Sequence, residues 1–396
     1  MSTRSPRLLL AHRQSGVTLV ELLVSLALGL SVMVAMASVY VAVKSSFRFQ
    51  ESVGRLQEDA NYALEVISKE LRMAGFAGCR GVDAVTVSGV TTYYPTSSVS
   101  PIPTAITGPN PLATVEPGNA LVTMQPLSPY NWLRGFDNVP SAMFASGSVP
   151  SSGSTDSLYF VSGSANALAI TAPMATASSN LTIAADPYGW GTANTYTLIV
   201  SDCNASSLFT GKLSGTTQID HSIAIGNNAN TFAANYLYGV DALVMPLQWN
   251  FFYVATRSGA STPSLYRISY DGNSRGTAQE VIANVERMKL YYGENLNGKD
   301  SVTASDCVLA TGAATCVASM QADVWRTTAA AVTNWSNVMA VRVGLMLVGG
   351  DYNADVSSAT PTLLGAAYTP PAGAASNRLR KEFSTTVVLR NRVSPR

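Results

Sequence analysis

The sequence predicts an α+β protein in which one long N-terminal α-helix packs on a β-rich globular head. Three observations predict this fold class. An apolar stretch runs over residues 17–43 with Glu21 as its only charge. A helical stripe of apolar residues extends the pattern to residue 75. Beyond residue 76, short β-type runs alternate with clusters of Gly, Pro, Asn and Asp.

The apolar stretch is long enough to cross a membrane. Its 27 residues would form a helix roughly 40 Å long at about 1.5 Å per residue, whereas the hydrocarbon core measures about 30 Å. A short leader precedes it that contains Arg4, Arg7 and Arg13 and no acid. We therefore expect a membrane-spanning segment with a basic leader.

Glu21 is the unusual residue of this segment. A carboxylate inside an apolar helix costs about 2.5–3.5 kcal/mol on insertion scales, and such residues usually find a partner. Cleavage after Gly16 would create a free amine on Val17, and the amine of a neighbouring helix could pair with Glu21 and set the register between packed helices. The simpler alternative is that Glu21 only favours the positive end of the helix dipole, worth about 0.3–1 kcal/mol.

Residues 16–21, Gly-Val-Thr-Leu-Val-Glu, resemble the class III signal of type IV pilins and pseudopilins. The resemblance implies that a prepilin peptidase cuts after Gly16 and methylates the new N-terminus at Val17. It also implies that Glu21 is the assembly glutamate. The chain has Val17 where most major pilins have phenylalanine. A competing interpretation is an ordinary signal peptide cut after the A-x-A sequence at residues 35–37, which would release a soluble protein beginning at Ser38.

The second part of the helix is amphipathic. The faces away from the apolar stripe are polar, and two acid-then-base pairs at spacing i,i+4 stabilise the helix there. The pairs are Glu51 with Arg55 and Glu65 with Lys69. Gly75 ends the pattern. The apolar stripe comprises Val53, Leu56, Ala60, Leu64, Ile67, Leu71 and Ala74. Together with the leader, this helix predicts the lollipop shape of a pilin.

The predicted organisation follows from these boundaries. Residues 1–16 are the leader peptide, 17–43 the transmembrane half of the helix, 44–75 its amphipathic half and 76–396 a periplasmic head with long loops. We expect one or two antiparallel sheets packed on the amphipathic half, and a short helix over residues 323–333. The expected strands are 120–125, 157–161, 196–201, 247–255, 264–270, 287–292, 338–348 and 383–390.

Four cysteines suit a compartment that permits disulfides, and three connectivities are possible. Cys307 and Cys316 bracket a short loop, so local pairing is favoured, and Cys79 would then join Cys203. Four unpaired buried thiols remain the alternative. The chain has no C-x-x-C pair, which argues against a zinc site or thioredoxin-like chemistry.

Several segments of the head resemble the PilW family of minor pilins. The resemblance implies a minor pilin that helps initiate type IV pilus assembly in a tip or priming complex, and so supports twitching, adhesion or DNA uptake. Its implied partners are the prepilin peptidase, other minor pilins, the major pilin and a tip adhesin. It implies anchoring in the inner membrane of a Gram-negative bacterium before transfer to the pilus. The segments are residues 75–79, 201–203, 285–293, 335–338 and 383–392.

The sequence does not indicate an enzyme, a cofactor or a nucleic-acid partner, since no acid/base or nucleophile constellation is present and the net charge is +1. His221 is interpreted as a loop or surface residue. No metal site is expected; Asp351, Asn353 and Asp355 are a weak calcium candidate because they offer oxygen ligands at alternate positions without the loop glycine. The functional alternatives are a minor pseudopilin of type II secretion and a tip adhesin with a ligand-binding head.

Overall fold

The chain divides into two compact units, residues 1–55 and residues 56–396. For residues 84–87, 90–93, 307–310, 313–316, 336, 350–352 and 392 the description below covers the backbone only. The computed structural model describes residues 16–78, 84–87, 90–93, 132–140, 155–186, 188–202, 205–227, 230–232, 235–257, 259–260, 262–296, 307–310, 313–316, 322–352, 361–370 and 378–392.

The predicted long helix is confirmed as α1, which spans Leu19–Leu71 and contains 53 residues. It passes without interruption through residues 35–38, where a signal peptidase site was the alternative. A turn follows α1, and Gly75 adopts a left-handed conformation with φ 77°, as is common just after a helix C-terminus. The side-chain amide of Asn391 donates hydrogen bonds to the carbonyl oxygens of Arg72 at 3.2 Å and Ala74 at 3.5 Å.

The head is built from antiparallel strands. In chain order they are β1 Ala84–Val87, β2 Val90–Tyr93, β3 Leu133–Phe136, β4 Ser157–Gly163, β5 Leu168–Ala172, β6 Leu181–Ile183, β7 Thr195–Ser201, β8 Ser206–Ser214, β9 Gln218–Asp220 and β10 Leu243–Ala255. They continue as β11 Ser264–Tyr270, β12 Gln279–Ala283, β13 Val285–Glu294, β14 Cys307–Ala310, β15 Ala313–Cys316, β16 Val324–Arg326, β17 Val338–Tyr352, β18 Thr362–Leu363, β19 Ala366–Ala367 and β20 Arg378–Val388.

Two sheets share one hydrophobic core with the second half of α1. One sheet has the order β12-β11-β10-β4-β3, and the other has the order β16-β13-β17-β20. The predicted period-two pattern of β17 is confirmed, because Val341, Val343, Leu345 and Leu347 all lie in this core. The buried residues of α1 in the core are Leu56, Ala60, Ala63, Ile67 and Leu71, and Ala74 of the turn after α1 joins them.

A small closed barrel, which the sequence analysis did not predict, is the third part of the head. Its six antiparallel strands pair in the ring β10-β5-β6-β9-β8-β7 and back to β10. Residues 243–246 of β10 belong to the barrel, whereas residues 247–255 belong to the open sheet. One long strand therefore joins the two structures, and ring closure leaves the barrel strands without a free edge.

His221 was interpreted as a loop or surface residue, and it lies in the loop directly after β9, but it is not on the surface. His221 is buried, and its ring lies 4.5 Å from the ring of Phe232 between centroids. Its Nε2 atom lies 2.9 Å from the carbonyl oxygen of Ser179. Phe209 and Tyr238 complete the aromatic cluster through edge-on contacts with Phe232. His221 is thus a core residue of the barrel.

One further prediction was wrong and another lies outside the described residues. In place of the predicted helix over residues 323–333, the chain forms β16 and a three-residue 3₁₀ turn, Ala329–Ala331. Asp137 satisfies the N-terminus of that turn by accepting hydrogen bonds from the backbone of Ala329 and Ala330 at 2.7 and 3.1 Å. The predicted strand over residues 120–125 lies outside the part of the chain that the structure describes.

Candidate assembly interface

The predicted cleavage site lies just before α1. Gly16, Val17 and Thr18 precede the helix, and the scissile bond would be the one between Gly16 and Val17. The backbone N–H of Glu21 donates to the Thr18 hydroxyl at 3.3 Å, and the N–H of Leu22 donates to the Thr18 carbonyl oxygen at 3.2 Å. Thr18 is therefore the N-cap of α1, and two residues, Val17 and Thr18, lie between the scissile bond and the regular helix.

The T-x-x-E sequence of Thr18 and Glu21 is the pattern of a capping box, a signal that the sequence analysis missed. The Glu21 side chain is exposed in the first turn of α1. It has no ion-pair partner among the residues described here. Its carboxylate is therefore accessible to a group from another molecule, close to the positive end of the helix dipole.

The N-terminal half of α1 exposes its apolar side chains on all sides. Leu26 is 55% exposed, Met33 70% and Val41 65%. By length and composition, α1 is the one helix among the described residues that could span a membrane, with a mean hydropathy of 2.3 over an 18-residue window of which none is buried. A soluble protein rarely leaves so much contiguous apolar surface uncovered, so this half of the helix suits an apolar environment that the described residues do not supply.

Four serine side chains of this half form hydrogen bonds within the helix. Four serine hydroxyls each donate to the carbonyl oxygen three residues earlier, at 2.7–3.0 Å. Because a bilayer core offers no water, such internal bonds lower the cost of placing a hydroxyl there. The four residues are Ser25, Ser31, Ser38 and Ser45.

Within the head, a buried ion pair joins β13 to β20. A β-bulge between Val285 and Arg287 contains Glu286. Arg380 donates from Nε and Nη2 to the two carboxylate oxygens of Glu286, at 2.7 and 2.9 Å. The Tyr368 hydroxyl donates to the same carboxylate at 2.9 Å. Burial and the neighbouring Glu286 charge raise the pKa of Tyr368.

Glu294, at the end of β13, is a fully buried acceptor. It accepts hydrogen bonds from Arg326 Nε at 2.8 Å, from the backbone N–H of Asn334 at 2.7 Å and from the Thr333 hydroxyl. Burial alone would raise the pKa of Glu294, but these hydrogen bonds outweigh it and hold the pKa below its usual range. The carboxylate thereby fixes the loop that leads into β17.

A third buried carboxylate connects the two sheets. Asp156 precedes β4 and accepts hydrogen bonds from the Leu290 N–H of β13 at 2.8 Å and from Lys289 Nζ. Burial raises the pKa of Asp156 by more than Lys289 lowers it. On the helix, Glu70 forms an ion pair with Arg267 of β11. The head therefore ties its sheets and helix together through charges that the sequence pattern did not reveal.

The described surface of the head contains a groove of about 690 Å³ between the second half of α1 and β20. Asn61 and Leu64 lie at its helix side, and Ser384 and Thr385 lie at its strand side. Its charged residues are Glu65, Lys69, Arg72 and Arg390.

The remaining predicted site residues are only partly described. Cys307 and Cys316 face each other directly across the β14–β15 hairpin as register partners, whereas Cys79 and Cys203 lie outside the described residues. Asp351 is described by its backbone at the end of β17, and Asn353 and Asp355 lie outside the description. Among the described side chains, no group of three or more His, Cys, Asp and Glu residues could hold a metal ion.

Comparison with known proteins identifies the class of protein to which these features point. Residues 11–37 match the prokaryotic N-terminal methylation motif, which covers the predicted cleavage site and the first part of α1. This match supports a pilin-like role for the chain, which combines a long apolar N-terminal helix with a β-rich head. Residues 251–391 match the family of type IV pilus-assembly protein W, PilW. No curated protein and no solved structure gives a significant match to the chain.

The two matches confirm the predicted resemblance to PilW-type pilins and support a pilin-like role in pilus assembly. The PilW match begins within β10 and ends at Asn391, the residue whose amide binds the turn after α1. It therefore contains most of the two sheets that pack on α1. The barrel strands up to residue 246 lie between the two matched regions.

Proposed function

We propose that this protein is a minor pilin that helps initiate type IV pilus assembly within a tip or priming complex. The observation that carries the proposal is a prepilin-type motif on an exposed apolar helix, in the same chain as a PilW-type C-terminal region. Its partners would be other minor pilins, the major pilin and a tip adhesin. The PilW match favours the pilus over type II secretion as its assembly.

The proposal includes a defined processing step and location. A prepilin peptidase removes residues 1–16 and methylates Val17, and α1 then holds the protein in the inner membrane with the head in the periplasm. The capped helix start supports this step because Gly16 and Val17 lie outside the helix. The test is the intact mass of the mature protein purified from a host with an active peptidase. A chain that begins at methylated Val17 supports the proposal, and one that begins at Met1 or Ser38 contradicts it.

Glu21 would pair with the Val17 amine of a neighbouring subunit. The exposed Glu21 carboxylate supports this role. We expect Glu21→Ala to be cleaved normally but to stay in the membrane fraction, because the substitution removes the carboxylate that sets the register between the helices of neighbouring subunits. The measurement is the distribution of processed protein between membranes and sheared pili. Normal incorporation of Glu21→Ala into pili would contradict the pairing role.

Deletion of the gene distinguishes a role in the type IV pilus from a role in type II secretion, the two assemblies that use this type of helix. Loss of pili and twitching with normal exoprotein secretion would support a pilus subunit. Loss of secretion with normal pili would instead identify a pseudopilin. A chromosomal copy that encodes the wild-type chain serves as the complementation control.

A further inference from the structure

Among the described residues, no strand pairs with the outer backbone edge of β20. Within the described residues β20 pairs only with β17, and it is the last strand of its sheet. The N–H of Leu389 donates to the carbonyl oxygen of Met339 at 2.9 Å, in register with the β17–β20 ladder. Because bonded and non-bonded pairs alternate in an antiparallel ladder, the backbone groups of Ser384, Thr386 and Val388 point away from β17.

The two halves of β20 differ in how they protect this edge. Residues 378–382 include three basic residues and one acid, and charged side chains are a common protection against strand addition. Residues 384–388 contain no charge and no proline. Ser384 and Thr386 are exposed, and Val388 is 52% exposed. The unprotected edge is about 17 Å long at roughly 3.4 Å per residue, enough for a strand of five residues.

The groove beside this edge has an excess of positive charge. Lys69 and Arg72 of α1 and Arg390 after β20 line it, against Glu65 as its acid. None of the three basic residues forms an ion pair within the described part of the chain. A segment that enters the groove would therefore gain from carrying a carboxylate.

We propose that residues 384–388 of β20 accept an extended, carboxylate-bearing segment of another pilus subunit as an added strand. The outward backbone groups of β20 supply the hydrogen bonds, as in other cases of β-augmentation. The basic residues of the groove, Lys69, Arg72 and Arg390, select an acidic segment. This inference rests on the proposed function only in naming a pilus subunit as the partner. A second copy of this chain and an apolar helix are the other occupants that the experiment distinguishes.

The experiment places a photo-cross-linking amino acid at Thr386 of the full chain in a piliated host. A matched control places it at Ala283, an exposed residue on β12 at the edge of the other sheet. We expect Thr386 to cross-link to a segment of a different pilus subunit that contains Asp or Glu, as identified by mass spectrometry. Cross-linking no stronger than at Ala283, or cross-linking to the same chain or to an apolar helix, would overturn the proposal.

Two substitutions test the chemistry, with the cross-linker moved to Ser384. Thr386→Pro removes an outward N–H without breaking the β17 ladder, whereas Thr386→Ala keeps that N–H and removes only the hydroxyl, which accepts from Arg342 Nε at 3.2 Å. We expect Thr386→Pro to reduce the cross-link about tenfold, which corresponds to the loss of about one hydrogen bond, and Thr386→Ala to change it little. Equal yields for the two variants would contradict strand addition.

Charge reversal provides a second readout in case Thr386→Pro folds poorly. Arg390→Glu should reduce the cross-link several-fold, whereas Arg55→Glu, which lies on α1 outside the groove, should not. The amount of wild-type protein in sheared pili is measured in the same cells. If the protein is present in pili but gives no cross-link from Thr386, strand addition at β20 is contradicted and the proposed function is not. If the processed protein is absent from pili, the proposed function fails.

Discussion

The two halves of α1 are both rich in apolar side chains, yet only the second half buries them within the chain. Leu26 and Met33 are more than half exposed, whereas Ile67 and Leu71 are completely buried. The second half presents its apolar residues as one stripe toward the two sheets, and its other faces are polar. The first half is apolar on every face, so no single protein surface could cover it.

This difference shows that hydrophobicity serves two purposes in one continuous helix. The second half derives its stability from tertiary packing, as most protein helices do. The first half has its backbone hydrogen bonds and its serine bonds satisfied internally, which is what a membrane segment requires. Substitutions in the second half should therefore change the stability of the head, and those in the first should change processing and assembly instead.

Replacement of Gly16 by leucine should give the largest effect, complete loss of processing. A Cβ atom at Gly16 would meet no atom within 4 Å, so the fold tolerates the substitution. Loss of processing would therefore reflect the peptidase and not misfolding. The measurement is the intact mass of the protein, which should retain residues 1–16.

Leu30→Ala is the control for this prediction, because it changes an exposed apolar residue further along the same half of α1. It should be processed as efficiently as the wild type. Normal cleavage of Gly16→Leu after residue 16 would show that the peptidase does not require the glycine.

Ile67→Ala should reduce the free energy of unfolding of the head by about 2–5 kcal/mol, because it removes a buried side chain and leaves a cavity. Ile67 is 0% exposed and contributes to the core between α1 and the sheets. Leu30→Ala should leave the same transition unchanged. Chemical denaturation of the purified full chain in detergent, followed through the tryptophans of the head, measures both. Equal shifts for the two variants would remove the distinction between the halves of α1.

The sequence was sufficient for the features that depend on local pattern. The apolar run, the amphipathic stripe and the alternation in β17 predicted α1 and the core-facing residues of the sheet, because period 3.6 and period 2 are direct consequences of backbone geometry. The acid of the apolar run and the glycine before it predicted the class of protein. These features need no information about distant residues.

The features that depend on distant pairing could not be predicted. Nothing local to β5 or β7 indicates that both pair with the same end of β10, so the closed barrel and the burial of His221 were missed. The partners Glu286 and Arg380 are 94 residues apart in the sequence, and they meet because β13 and β20 both pair with β17. By contrast, the T-x-x-E capping box of Thr18 was visible in the sequence and could have been recognised.

Glu294→Gln should lower the free energy of unfolding by about 1.5–3 kcal/mol at neutral pH, the contribution typical of hydrogen bonds to a charged group. The pKa of Glu294 lies below its ordinary value of 4.5 in the folded state. A depressed folded pKa stabilises the protein above the unfolded pKa, and this contribution is lost as the pH falls through the folded pKa. The difference in unfolding free energy between the wild type and Glu294→Gln should therefore become smaller below about pH 4.5.

Denaturant unfolding at several pH values from 7 to 3 measures this gap. Processing of Glu294→Gln should remain normal, since the substitution lies in the head and not in the first half of α1. A gap that widens on acidification would show that burial dominates the pKa of Glu294. Glu280→Gln, at an exposed position on β12, is the matched control and should show no gap.

Asn391→Ala should have the smallest effect, a loss of about 0.5–1.5 kcal/mol in unfolding free energy, because it removes hydrogen bonds to the carbonyl groups of Arg72 and Ala74 in the turn after α1. Asn391→Asp should cost more, since a carboxylate cannot donate to these carbonyls and lies at the negative end of the helix dipole. Thr18→Ala removes the cap at the opposite end of the same helix and should leave the unfolding of the head unchanged. If Thr18→Ala destabilised the head as much as Asn391→Ala, the two halves of α1 would unfold as one unit with the sheets. We expect Asn391→Ala to destabilise the head more than Thr18→Ala does. That result would show that the second half of α1 and the turn after it unfold with the head, whereas the first half does not contribute to the stability of the head.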